Sequence, residues 1–180
     1  MSQLDRLRAG MPATPETARG PRVSHPDARG RRSDGDELII EVLAKLGADH
    51  VADGDEISGI WENGLFFFGT LGGAQAGEDV FHIRGVWERA VHVDELSKGL
   101  MFANDWNAEH VWPKVFVQQD ETDLLFHGET TADLGADPSF ELVEKLITTA
   151  VSAALEVFHV AERAFPNAHL IAESPPGWRD

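Results

Sequence analysis

The pattern of apolar and polar positions changes character near residue 34. Before that point no helical or strand period emerges. After it, Leu38, Ile39, Val42, Leu43 and Leu46 recur at spacings of three and four, which predicts an amphipathic helix. Asp34 to Asp36 offers a cap with acidic residues at the positive end of the helix dipole. Gly47 supplies the stop. Ile57 to Trp61 and Leu65 to Leu71 read as two strands joined at Asn63-Gly64, where a tight hairpin turn needs positive φ. The run 72–77 is Gly-rich and reads as a loop. Asp79 to Trp87 alternates and predicts a third strand, with Phe81 and Ile83 facing the core.

A second helix is predicted from a cap at Asp94, with Leu96, Leu100, Ala103 and Asn107 along one side. It must end before Pro113, because the residue preceding a proline disfavours the α region. Lys114 to Gln119 and Asp123 to Glu129 form a second hairpin around a polar turn. A long helix then starts from Asp137 and Pro138 and ends at Phe165-Pro166. Its stripe runs from Phe140 through Val143, Ile147, Val151 and Leu155 to Phe158. Leu142, Ala153, Val157 and Val160 widen it, leaving apolar surface for a second subunit. The order is helix, three strands, helix, two strands, long helix. Hairpin links make the sheet mostly antiparallel, which defines an α+β two-layer sandwich. The expected division is a disordered Arg/Pro-rich tail over 1–34, an α+β domain over 35–167, and a flexible end over 168–180.

Charge sharpens this division. Net charge is −16, yet Met1 to Asp34 carries seven Arg against four acidic residues, leaving eight basic and 27 acidic residues in the remainder. A body this acidic repels phosphate backbones, so nucleic acid is not an expected partner. Cys is absent, which excludes disulfides, thiolate metal sites and thiol nucleophiles and fits a cytoplasmic location. No apolar run is long enough to span a membrane, and the opening MSQLDRLRAGMP lacks the apolar core of a secretory signal.

Candidate chemistry is sparse. His82 and His127 sit on predicted strands and His92 and His110 flank the second helix, without a metal-binding spacing; surface placement is expected for the strand pair. Asp53-Gly54-Asp55-Glu56 lacks the remaining ligands of a calcium loop and reads as a turn. Phosphate-loop and nucleophile-elbow patterns are missing. No catalytic, cofactor or metal residue is assigned, and an enzyme is not expected. In FANDWNAEHVWPK, Asn104 and Asn107 lie on adjoining parts of one helix face, and their amides are expected to hold the turn leading to Pro113. The alternative is a polar small-molecule pocket beside Asn104, Asn107 and His110, serving a sensor or an enzyme.

Four stretches, ISGIWENGLFFF, FHIRGVW, FANDWNAEHVWPKVFV and the closing helix, resemble the YbjN family of bacterial sensory transduction regulators. The most specific part is Asn104, Trp106 and Asn107 followed by Trp112-Pro113-Lys114. The resemblance covers about Asp36 to Pro166. It implies a fold like that of type III secretion chaperones and a regulatory role without established enzymatic chemistry. Together with the wide helical stripe, it leads to the expectation of a homodimeric protein-binding module for a protein partner of unknown identity. The expected binding surface is Phe66, Phe68, Trp87, Trp106 and Trp112, with Phe158 at the subunit contact.

Overall fold

The computed structural model describes residues 33–53, 56–72, 79–135 and 137–171. The tail before residue 33, the Gly-rich stretch 73–78 and the segment after 171 lie outside the described residues, and with them most of the expected tail and loop.

Helix α1 spans Asp34–Lys45. Its cap is Ser33, whose hydroxyl accepts from the Asp36 N–H, rather than an aspartate. Asp36 is thereby free to turn inward. Its buried carboxylate accepts from the Thr70 N–H at 3.0 Å and the Thr70 hydroxyl at 3.2 Å, tying α1 to the sheet. Ile39, Val42 and Leu43 are buried as the spacing predicts, and Gly47 takes φ +67° to end the helix.

The sheet runs β1 (His50–Asp53), β2 (Glu56–Trp61), β3 (Gly64–Gly72) and β4 (Asp79–His92). After helix α2 (Leu96–Glu109) come β5 (Lys114–Asp120) and β6 (Asp123–Asp133), then helix α3 (Phe140–Ala164) and the short β7 (His169–Leu170). Every pairing is antiparallel, in the spatial order β1-β2-β3-β4-β6-β5, with β7 on β4. The α+β architecture therefore matches the expectation, with two additions. Strand β1 is too short to alternate visibly. Strand β7 occupies part of the end expected to be flexible, pairing Leu170 with Arg89 where β3 has already stopped.

Local chemistry differs from the expectation at four places. The β2–β3 turn is Glu62-Asn63, with Asn63 at φ 68°, and Gly64 is already in the strand opposite Trp61. Gly64 is needed for close approach: a Cβ there would lie 2.8 Å from the Phe158 ring. Strand β4 continues past Trp87 through an irregularity between Val86 and Ala90. A 3-10 turn over Val93–Glu95 precedes α2, and its cap is His92 rather than Asp94. Ser139 caps α3 by accepting from the Leu142 N–H, so the helix starts after Asp137 and Pro138.

All three helices of the described residues pack on one face of the sheet. Gly99 of α2 rests over Phe126 and Leu124, and α3 lays Ala154 on Gly128 and Phe158 against Phe66. The core between them holds Trp87, Phe81, Ile83, Phe126 and Ile147. The buried side of α2 is Gly99, Ala103 and Trp106, whereas Leu100 points to solvent. Most of the wide α3 stripe, including Val157 and Phe158, is consumed within this core; Leu142 is the large residue left exposed.

Candidate functional site

The Trp–Asn corner is built from the end of α2 and the start of β5. The Asn107 amide donates to the Val115 carbonyl and its oxygen accepts from the Val115 N–H, both at 2.8 Å. A side-chain amide thus takes the place of a neighbouring strand at the edge of the sheet. Trp106 is buried and stacks on His110 at 3.9 Å, and the His110 ring bonds back to the Trp106 carbonyl. Pro113, joined to Trp112 by a cis peptide, packs over Gly128. Asn104 is exposed and lies outside this arrangement. The polar pocket considered beside Asn104, Asn107 and His110 is not what these residues build: the Asn107 amide is spent on Val115, and the His110 ring lies flat on Trp106.

The expected aromatic binding surface also needs correction. Phe66, Phe68, Trp87 and Trp106 are core residues, buried because β3 and β4 turn them toward the helices. Phe158, expected at a subunit contact, is fully buried against Phe66 and Gly64. Trp112 alone of that set remains exposed.

Two surfaces carry what the aromatics do not. The first is a cleft of about 550 Å³ between the end of α1, the β2–β3 hairpin and α3. Leu46, Trp61, Ile147, Val151 and Leu155 line it, with Asp49 and Glu62 also at its wall. Leu46 was expected inside the core as the last member of its stripe; it is 41% exposed because Gly47 turns the chain away before α3 can cover it.

The second is the sheet face opposite the helices. Registers place Val51, Ser58, Phe67, Arg84, Glu129 and Lys114 in one row across six strands. Glu129 accepts from His82 Nε2 at 2.8 Å, Arg84 Nη2 at 3.2 Å and Lys114 Nζ at 3.3 Å. The hydrogen bond from His82, reinforced by Arg84, holds its pKa at about 2 despite burial. His127, in the next row, stacks on Phe116 at 4.7 Å. Its ring nitrogens have no hydrogen-bond partner, and burial, aided by nearby Arg84, lowers its pKa to about 3. Both strand histidines are buried, contrary to the surface placement expected; His82 is bonded to Glu129 and His127 lies flat against Phe116. At neutral pH a neutral His127 and a thrice-bonded Glu129 carboxylate are suited to structure and recognition rather than proton transfer.

No group of three or more His, Asp or Glu side chains suited to a metal occurs among the described residues. Among them no helix is long and apolar enough to cross a membrane.

Among the described residues, a single antiparallel sheet roofed on one face by three helices, with an amide clip at its edge, defines the class as an α+β two-layer sandwich. The chain belongs to the YbjN family: the family model, described as "Putative bacterial sensory transduction regulator", matches residues 36–163. Among solved structures, the chain is similar to YbjN from E. coli, titled "a putative transcription regulator". Identity is 13% and the TM-score 0.55, with 72% of this chain and 92% of that one covered, a likeness of fold. The search of curated proteins finds no match.

Proposed function

We propose that this chain is a non-enzymatic regulatory module of the cytoplasm that binds a protein partner in the α1–β2–α3 cleft and acts as a homodimer. The cleft carries the reading. Exposed Leu46 and half-buried Trp61 and Leu155 surround a floor of Ile147 and Val151. Such a site fits one apolar side of a partner segment, whose basic flanks would meet Asp49 and Glu62. The regulatory description of the family supports the same class of function. The homodimer reading draws its support from the sheet face that no described helix covers, since α3 is largely spent on the core.

A photo-crosslinking residue at position 46 tests the partner site, with position 101, exposed on α2, as control. The expected result is an intracellular adduct from position 46 that Leu155→Glu abolishes and that position 101 does not give. Equal adducts from both positions, or an adduct that survives Leu155→Glu in a folded protein, would overturn the cleft as the site.

A further inference from the structure

The last described residue, Ile171, leaves the sheet at the rim of the cleft. Strand β7 enters the lane beside β4 that β3 occupies further along, and the two meet at Glu88. The Glu88 N–H donates to the Asn63 carbonyl at 3.1 Å, and the Glu88 carbonyl accepts from the Ile171 N–H at 2.9 Å. Ile171 therefore abuts the β2–β3 turn, and the chain cannot continue within the sheet. Glu62, next to Asn63, already forms one wall of the cleft. Asp49, on the far wall, lies two strand lanes away, about 10 Å. Residues 172–180 follow Ile171 and read AESPPGWRD. Trp178 is seven residues beyond Ile171, and a flexible link of that length spans about 15 Å on average. That is enough to cross the cleft, and Pro175-Pro176 favours an extended path.

We propose that residues 172–180 fold back over the β2–β3 turn and dock in this cleft, with Trp178 against Leu46, Leu155 and the floor of Ile147 and Val151, closing it to the partner. The closure rests on the reading of the cleft as the partner's site. The chemistry of the segment matches that of the walls. An indole offers a large apolar body to exposed Leu46, and Arg179 brings a cation to the exposed carboxylates of Asp49 and Glu62. Glu173 and Asp180 lie outside the Pro-Pro-Gly-Trp-Arg stretch that the cleft would take. Residues 1–32 fit less well. They join at the start of α1, a helix length of about 18 Å from Leu46, and contain no Trp. Their seven Arg suit the acidic body at large but bring no aromatic to fill the cleft. A short link holds the docking segment at an effective concentration in the millimolar range, so even a weak contact keeps the cleft closed until a partner displaces it.

A photo-crosslinking residue at position 46 of the purified full chain tests this, with adducts mapped by mass spectrometry and circular dichroism confirming the fold. The expected adduct lies within one chain and maps to 172–180, and Trp178→Ala is expected to reduce it at least about tenfold. In cells the same substitution is expected to raise the partner adduct at least about threefold, because every molecule then presents an open cleft. An adduct of doubled mass would assign the cleft to a second copy, and one mapping to 1–32 would assign it to the Arg-rich segment; either overturns the proposal. So does an adduct to 172–180 that survives Trp178→Ala, or the lack of any adduct to 172–180. The partner reading fails separately. An in-chain adduct with no partner adduct in cells, even with Trp178→Ala, keeps the docking and overturns that reading. A partner adduct without the in-chain one overturns the docking alone.

Discussion

Replacing Asn107 with alanine is predicted to cost about 2 kcal/mol of stability. Two bonds of 2.8 Å are lost, one to the Val115 N–H and one to its carbonyl. Each contributes about 1 kcal/mol net, and each orphaned backbone group costs about 1–3 kcal/mol if it stays dry. Val115 is itself buried, but Asn107 lies at the surface, so water can enter the vacated position and hold the cost near the lower end. Urea unfolding followed by tryptophan fluorescence reads the change; with a slope of about 1–3 kcal/mol per molar, the midpoint falls by roughly 1 M. Asn104→Ala, on the same helix but outside the clip, is expected to change stability by less than about 0.5 kcal/mol. Asn107→Asp keeps the acceptor for the Val115 N–H but sets a carboxylate against the Val115 carbonyl. It is expected to match the alanine loss at pH 7 and to recover part of it once the carboxyl is protonated. An Asn107→Ala midpoint equal to the wild type, or an equal loss from Asn104→Ala, would refute the account of the edge clip.

His127→Phe keeps the stack on Phe116 and removes two unpartnered ring nitrogens, so it is predicted to stabilise the protein by about 1 kcal/mol at pH 7, measured by urea unfolding. Because the folded pKa of His127 is depressed to about 3 from 6.5, the unfolded chain binds its proton first. Stability is then lost as pH falls from about 6.5 toward 3, and the same variant should remove that part of the slope. Glu129, depressed from 4.5 to about 2, adds a further loss below about pH 4.5 that Glu129→Gln should abolish in an acid titration. Gly85→Ala would set a Cβ 2.7 Å from the Phe66 ring and is expected to cost about 1–3 kcal/mol in thermal or urea unfolding. Ser139→Ala should cost about 1 kcal/mol by losing the α3 cap, while Asp137→Ala should be near neutral; the reverse order would place the cap at Asp137.

What was legible in the sequence is what periodicity encodes. Alternation placed Phe81 and Ile83 on the core side of β4, and the spacing of Ile39, Val42 and Leu43 placed the buried side of α1. Asn107 could be assigned to the turn because an amide on a helix nearing its end has backbone groups within reach. Burial of aromatics was misread because a strand residue beside a glycine, such as Phe66 beside Gly64 and Gly85, is packed by a distant helix that no local pattern reveals. The caps at Ser33, His92 and Ser139 were displaced by one or more residues because several neighbouring residues at each helix start can supply the acceptor. The charged cluster on the opposite face joins three strands, β4, β6 and β5, so only the registers bring His82, Arg84, Lys114 and Glu129 together.

The most specific stretch of the family resemblance is occupied with holding the molecule together. Asn107 is bonded to Val115, His110 to the Trp106 carbonyl, and Pro113 lies on Gly128. Its interactions are local, between α2, β5 and the sheet beneath them, so its substitution should lower stability without redirecting recognition. The cleft has the opposite character: exposed Leu46 and half-buried Leu155 contribute less to the core than the residues beneath them. Leu155→Glu should therefore remove partner crosslinking from a protein that still unfolds cooperatively. Asn107→Ala should retain crosslinking wherever it remains folded. If Asn107→Ala abolished crosslinking from a fully folded protein while Leu155→Glu left it intact, the division between a scaffolding motif and recognising surfaces would be the wrong way round.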